Sequence, residues 1–306
     1  MIGRITTLMT AQSTVNDLAL SFDRLSQTQQ EMSSGKKISQ PSDDPYGMSV
    51  VLNEQSQLGM LTAYTNNVSD GSAWTQAGQS AMTNITNVVQ RVRELVVAGA
   101  NGTNSQSSLA GSAAEVKQLI AAVKQEANTQ YNGQYIFAGT TNVAPYQPSS
   151  GDLYQGNSGP AGAVTRLIGP NTTVQVNVDL SSVLGNGAAG SGGPDGKLLD
   201  TLNTIYSDMS SGNTNGLGNT DLKALDSNFS ALTQMQAGLG AASNRLDLAS
   251  SRIQSMKFSD TQVLSNAQDA DMAKVAIDYS TQQAAYSAAL RAGASIVQSS
   301  LMDFLK

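Results

Sequence analysis

The sequence predicts a mainly α-helical protein with a small inserted β domain. Both chain ends are expected to form long heptad-patterned helices, which together make an elongated rod. Apolar residues recur at spacings of three and four in both flanks of the 306-residue chain. Five of the seven prolines and 12 of the 28 glycines lie between Gly139 and Gly196, which excludes long helices from that stretch. Inside it, residues 173–178 alternate apolar and polar side chains as a strand does.

These patterns predict three parts. Residues 1–40 and 260–306 form a terminal coiled coil, residues 41–138 and 197–259 form a helical rod, and residues 139–196 form the β-rich insert. A continuous second helix of about 54 residues would span roughly 80 Å, against a diameter of about 50 Å for a compact globule of this length. The predicted shape is therefore elongated.

Composition excludes several classes of protein. The chain has 23 acidic and 17 basic residues, a net charge of -6, and no histidine or cysteine. It therefore lacks the residues of a Ser-His-Asp triad, a cysteine nucleophile, the usual zinc site or a disulfide, and we expect no metal and no cofactor. The acidic balance argues against nucleic acid as a partner. Charged residues make up 13% of the chain, about half the usual share, which favours packing between subunits over a merely uncharged, soluble surface.

The first helix carries a heptad seam from Leu8 to Met32 and ends near Gly35, a residue that can cap a helix. Asp44-Pro45 is a helix-start signal, and the second helix should run from Pro45 to about Ala98, with a kink or break anticipated at Gly71 or Gly78. Asn219-Thr220 is expected to cap a long later helix. The face predicted for the third helix consists of Leu109, Ala113, Val116, Ile120, Val123, Ala127 and Gln130.

The middle of the chain is predicted to form strands. Residues 134–138 follow an Asn132-Gly133 turn signal. Residues 163–168 are the expected hairpin partner of 173–178, across Gly169-Pro170-Asn171. Val174, Val176 and Val178 should share one face.

The candidate site is an assembly surface on the two terminal helices. These helices are expected to pair with each other, and the faces left over would pack on adjacent subunits. For Tyr279 and Tyr286, one heptad apart, plain packing within the chain stays an alternative to stacking on a partner helix. The predicted interface residues are Leu8, Val15, Leu18, Phe22, Leu25, Met32, Tyr279, Tyr286, Leu290, Val297, Leu301 and Phe304.

Charged and hydroxyl residues offer competing interpretations. Asp43-Asp44, and Asp269 with Asp271, favour helix caps over acid–base chemistry or calcium binding. Arg91, Arg93 and Glu94 form a solvated or an inter-subunit patch, with the second slightly favoured. A carboxylate enzyme in the insert would have Asp152, Asp179 and Tyr154 at its disposal, and nothing in the sequence pairs these residues.

No targeting segment is expected. Residues 5–20 do not form the apolar core of a signal peptide, and no run approaches the roughly 18 apolar residues of a membrane span. The protein is then either cytoplasmic or exported without a cleaved peptide.

Ordered motifs at both ends resemble flagellins. They are Leu25-Ser26-Gln27, the run from Met32 to Ile38 with Asp43-Asp44-Pro45, the run from Gln90 to Val97 with 101–105, Tyr131-Asn132-Gly133, Leu239-Gly240-Ala241 with Asn244-Arg245-Leu246, and Asp269 to Ala273. Together they cover roughly residues 1–140 and 230–306. Two features depart from the flagellin pattern, namely Pro41 and Pro45 beside the Asp-Asp pair and the ending from Ser300 to Lys306. The run from Tyr135 to Thr140 resembles the hook-associated protein 3 branch, so the resemblance is closest to that branch.

The resemblance implies a structural, non-enzymatic protein of the bacterial flagellum. It would form a junction ring between hook and filament, outside the cell, after type III export without a cleaved signal peptide. The implied partners are copies of itself, the hook-side junction protein, flagellin and an export chaperone, with neither nucleic acid nor a membrane span. A flagellin filament subunit is the alternative.

Overall fold

The computed structural model describes the backbone of residues 7–101, 104–147, 151–186 and 194–304. Side chains are described for the same residues except 7, 8, 10, 11 and 295–304. The chain divides into two compact units. We call Met1–Met60 with Met256–Lys306 the terminal unit, and Leu61–Ser255 the central unit.

The terminal unit is built from helices near both chain ends. Helix α1 (Thr7–Ser34) packs against α8 (Met272–Phe304). The unit also holds the start of α2 (Pro45–Ala100) and the end of α7 (Leu222–Gln268). The predicted start of α2 is confirmed, because Asp44 Oδ1 accepts hydrogen bonds from the backbone N–H groups of Tyr46 (3.1 Å) and Gly47 (3.0 Å).

A short backbone clasp, formed by residues 35–38 and 266–270, joins the segment after α1 to the turn before α8. The N–H of Ala270 donates to the carbonyl of Gly35 at 2.9 Å, and the N–H of Lys37 donates to Gln268 at 2.8 Å. Lys37 Nζ also donates to the carbonyl of Asn266 at 2.8 Å. Gly35 has φ +70°, a left-handed conformation that favours glycine. The segment after α1 and the turn before α8 are therefore held together at one place.

Two of the four predicted capping carboxylates of the terminal unit, Asp44 and Asp271, cap a helix, and Asp43 binds N–H groups of the loop before α2. Besides Asp44, Asp271 Oδ1 accepts from the N–H groups of Ala273 and Lys274 at the start of α8. Asp43 Oδ2 accepts from the N–H groups of Ser39 and Gln40, and these bonds lower the pKa of Asp43. Asp269 differs, because its Oδ2 accepts from the hydroxyl of Ser265.

The helices of the central unit follow the predicted apolar faces. Helix α2 is unbroken through Gly71 and Gly78, so the anticipated break is absent there. Helix α3 (Gln106–Ala127) packs against α5 (Leu198–Ser211). The buried face of α3 matches the prediction except for Gln130, which lies beyond the helix and is exposed.

Asn219-Thr220 does not cap α7, because both residues lie inside a π-turn (Leu217–Asp221) that leads directly into this helix, so that prediction is wrong. Asn213 caps a single turn before it, α6 (Thr214–Gly216), by accepting from the N–H of Gly216 at 3.1 Å. The helical path therefore begins at Thr214, five residues before Asn219.

Two short hairpins make up the β structure. Strand β1 (Gln130–Tyr131) pairs with β2 (Gln134–Tyr135) across Asn132 and Gly133, whose φ angles are +50° and +75°. The predicted strand 134–138 is too long. Ile136, Phe137 and Ala138 are buried and leave the strand in a turn, so their apolar run reflects burial rather than pairing.

The second hairpin contacts α2 at a glycine. Strand β3 (Thr165–Gly169) pairs with β4 (Thr172–Gln175), and a turn with Asn171 at φ +51° joins them. Val174 and Val176 are buried as predicted, and Val178 is half-buried. A Cβ at Gly71 would lie 3.1 Å from Val176 Cγ1 and 3.4 Å from a Leu246 methyl carbon. The absence of a side chain at Gly71 is thus what lets the hairpin and α7 approach α2.

The remaining helical pieces are short. Residues Gly159–Gly162 form a 3₁₀ turn, and Ser181–Leu184 form α4. Residues 187–193 lie outside the described residues, as does Pro148. The three-part division of the chain and its elongated rod shape stay predictions.

The substitution Gly71→Leu should destabilise the central unit, since the new side chain must displace Val176 and Leu246. We expect a loss of about 1–3 kcal/mol in the free energy of unfolding. The matched control is Gly111→Leu in α3, where no atom lies within 4 Å of the added Cβ. There the higher helix propensity of leucine should raise the free energy of unfolding by up to about 1 kcal/mol. Urea unfolding followed by circular dichroism measures both, and equal effects would contradict the close approach at Gly71.

Candidate assembly surfaces

Helix α1 covers only one of its two apolar heptad columns. Leu18 and Leu25 are half-buried beside α8. Val15 is 58% exposed and Phe22 is 54% exposed, although they belong to the same predicted seam. Met32 is 43% exposed, although it lies one heptad after Leu25. The side chain of Leu8 lies outside the described residues.

Helix α8 shows the same division. Tyr279 and Tyr286 are half-buried, and the Tyr286 ring lies 5.8 Å from that of Phe22 at an angle of 50°. Leu290 is 45% exposed. The side chains of the last three predicted residues, Val297, Leu301 and Phe304, lie outside the described residues.

Gly293 sets the distance between the two helices. A Cβ at this position would lie 3.2 Å from a Leu18 methyl carbon and 3.3 Å from Thr14 Cγ2. Both distances are tighter than ordinary van der Waals contact, so α1 approaches the backbone of α8 here. The sequence patterns did not identify this contact, although a glycine inside a predicted helix is itself a signal of close packing.

The terminal unit has little core of its own. Among the side chains that the structure describes, its buried apolar residues are Ile38, Val51 and Val275. Most of the large apolar side chains that are exposed also belong to this unit. A concentration of exposed large apolar side chains is typical of an interaction site, so this unit carries the candidate assembly surface.

The charges near the end of α2 are paired within the chain. Arg91 Nε lies 2.7 Å from Glu115 Oε1, and Arg93 Nε lies 2.8 Å from Asp226 Oδ1. The hydrogen bond that Arg91 donates to Glu115 is the main cause that raises the pKa of Arg91. These pairs join α2 to α3 and to α7, so the charges are accounted for without the neighbouring subunit that the sequence interpretation favoured.

The carboxylates of the insert have structural partners. Asp152 pairs with Lys124 and accepts from Asn203, while Asp179 accepts from Ser181 and from the N–H of Gly159. The Tyr154 hydroxyl donates to the carbonyl of Phe137 at 2.7 Å, and burial, with the Asp179 charge, raises the pKa of Tyr154 to about 12. Tyr154 is therefore a donor rather than a base near neutral pH.

Within the described parts of the chain, no group of three or more acidic side chains is placed to hold a metal ion. No helix in those parts is long and apolar enough to cross a membrane.

The sequence matches two family models. The bacterial flagellin N-terminal helical region matches residues 5–142, and the bacterial flagellin C-terminal helical region matches residues 222–305. Together the two matches cover more than two thirds of the chain. A flagellin from Bacillus subtilis (strain 168) is 28% identical over 280 residues, which are 89% of this chain and 88% of that protein.

Solved structures share the fold. A putative flagellar hook-associated protein from Vibrio parahaemolyticus has a TM-score of 0.66 at 20% identity, covering 74% of this chain and 100% of that chain. The flagellar junction protein FlgL from Legionella pneumophila has a TM-score of 0.58 at 15% identity, covering 72% of this chain and 100% of that chain.

The substitution Gly293→Leu should separate α1 from α8, because the added side chain would collide with Leu18 and Thr14. We expect faster amide hydrogen exchange along α1, by about tenfold or more, with exchange in α3 unchanged. Ala294→Leu, at the exposed neighbouring position, is the control and should leave α1 protected. Equal protection of α1 in both variants would show that Gly293 does not set the helix spacing.

Proposed function

We propose that this chain, which belongs to the flagellin family, is a structural protein of the bacterial flagellum that forms the junction ring between hook and filament. The observation that carries the proposal is the pair of uncovered apolar columns on α1 and α8. Apolar surface that a chain cannot cover with its own residues is stabilised by packing against other copies. Assembly through the terminal helices is therefore the activity that this surface supports best.

Two observations favour the junction over the filament. The fold corresponds to the full length of the junction protein from Legionella pneumophila and of the hook-associated protein from Vibrio parahaemolyticus. The run from Tyr135 to Thr140 resembles the hook-associated branch. The second candidate is a filament subunit, and the likeness to Bacillus subtilis flagellin along nearly its whole length favours that role.

The partners and location follow from this role. The chain would contact copies of itself in a ring, the hook-side junction protein on one side and flagellin on the other, and an export chaperone before assembly. It would act outside the cell, after export without a cleaved signal peptide. Its role is structural rather than enzymatic, which agrees with the hydrogen-bonded or paired state of Asp152 and Asp179.

The predicted interface residues then divide into two groups. Leu18, Leu25, Tyr279 and Tyr286 hold α1 and α8 together, and Val15, Phe22, Met32 and Leu290 face neighbouring subunits. Phe22 has both roles, since its exposed ring also contacts Tyr286. For Leu8, Val297, Leu301 and Phe304 the inter-subunit role is proposed from the heptad pattern alone.

The substitution Leu290→Asp should abolish assembly, because burying an unpaired carboxylate between subunits costs several kcal/mol. The central unit should keep its fold, as circular dichroism and protease resistance of residues 61–255 would show. Thr281→Asp is the matched control, since at 100° per residue it lies on the opposite side of α8 and is also exposed. Filament growth at the normal level in cells that carry Leu290→Asp would count against the proposal.

Deletion of the gene separates the two candidate roles. We expect bare hooks in electron micrographs and filament protein in the medium, because filament subunits are then exported without a base to build on. Bare hooks without filament protein in cells or medium would assign the chain to the filament itself. Re-expression of the intact chain is the control, and normal filaments in the deletion strain would contradict both roles.

A further inference from the structure

The π-turn at the head of α7 buries a carboxylate that has too few donors. Asp221 is 4% exposed. Its Oδ1 accepts from the hydroxyl of Thr220 at 3.3 Å, while its Oδ2 is buried with no hydrogen-bond partner. An ionised carboxylate in such a place is strongly destabilising, because neither water nor a donor replaces its hydration. A positive group bound to this carboxylate would therefore stabilise the site.

Asp208 presents a second carboxylate to the same place. It lies in the last turn of α5, which packs against the π-turn that holds Asp221. Asp208 Oδ2 accepts from Asn213 Nδ2 at 3.1 Å, and its closeness to the backbone of Gly216 leaves no room for a Cβ there. The α5 carboxylate is therefore held against the turn by the short segment that leads into α7.

No cation neutralises this pair in the described parts of the chain. The end of α2 offers Gly99 and Ala100, which contact Leu217 and Gly218 of the turn and carry no charge. On α7, Lys223 is exposed without a bond to Asp221 Oδ2. Asp226 is bound to Arg93. The group that acts on Asp221 is thus another acid, Asp208.

Two carboxylates in contact cannot both be ionised in a buried site, and the pair retains a proton instead. A proton on Asp221 Oδ2 turns an acceptor without a donor into a donor toward Asp208. We propose that Asp208 and Asp221 share one proton in the folded chain, and that this proton holds the π-turn against the end of α5. Burial, followed by the charge of Asp208, raises the pKa of Asp221, as the shared proton requires.

The proton makes the central unit sensitive to alkali. The raised pKa means that the folded chain binds a proton that the unfolded chain has lost above about pH 4. Stability from this pair is therefore full at low pH and is lost as the pH rises through the raised pKa. Leu217, which is fully buried next to Gly99, lies in the same turn. Loss of the proton should accordingly loosen the packing between the head of α7 and the end of α2.

The test compares the intact chain with Asp221→Asn, whose amide can donate to Asp208 at any pH. Urea unfolding is measured from pH 4 to 9 at constant ionic strength. The ratio of the wild-type unfolding constant to that of the variant should rise with pH, by up to about tenfold per unit, until it levels off. Asp208→Asn should weaken the same dependence, because it removes the second carboxylate and leaves burial as the cause that remains. Asp247→Asn, at an exposed site, should behave like the wild type.

A direct measurement protects the test against a variant that fails to fold. The ¹³Cγ resonances of wild-type aspartates should include one that titrates well above pH 4. A constant ratio of unfolding constants, or ordinary titration of every aspartate, would overturn the proposal. So would stabilisation of the wild type, but not of Asp221→Asn, by added MgCl₂ or CaCl₂ at pH 7, because a cation would then occupy the place of the proton.

Discussion

The structure of the terminal unit depends on an imbalance between apolar surface and the partners available to cover it. A heptad repeat gives each of α1 and α8 two apolar columns, and pairing of two helices buries mainly one column on each. Leu18, Leu25, Tyr279 and Tyr286 occupy the buried columns, and Val15 and Leu290 remain outside. The central unit has no such deficit, because nearly all the buried apolar side chains described in the chain belong to it. One chain therefore combines a part that covers its own apolar surface with a part that leaves much of it exposed.

Sequence patterns predicted the elements better than their partners. The buried face of α3, the start of α2 at Asp44 and the two hairpin turns follow from local chemistry, namely periodicity, capping and positive φ angles. The heptad seam of α1 predicted an interface role for both Leu18 and Val15. It could not separate them, because a heptad repeat identifies apolar columns without showing which column a partner helix covers. The assignment of Val15 and Phe22 to a surface needed the position of α8, which depends on contacts between opposite ends of the chain.

Polar residues account for most of the other places where the structure departs from the sequence prediction. Asn228 interrupts the apolar seam of α7, and the structure buries it with its amide donating to Thr201 Oγ1 at 2.9 Å. Asn213 was indistinguishable from Asn215 and Asn219 as a cap, since all three lie in one polar stretch. A buried hydrogen-bonded asparagine and an exposed one look alike in a sequence. Their roles depend on neighbours that are distant along the chain.

The clasp between residues 35–38 and 266–270 has a consequence for the order in which the molecule forms. The Gln268 amide and the Ile38 carbonyl that it bonds are 230 residues apart in sequence. Contacts of such high sequence separation close late, because the loop between them loses conformational entropy before the contact forms. Until a ribosome has released residue 270, α1 has no partner within its own chain. We therefore expect the central unit to fold first, with α1 among the earliest segments synthesised and the last to become ordered.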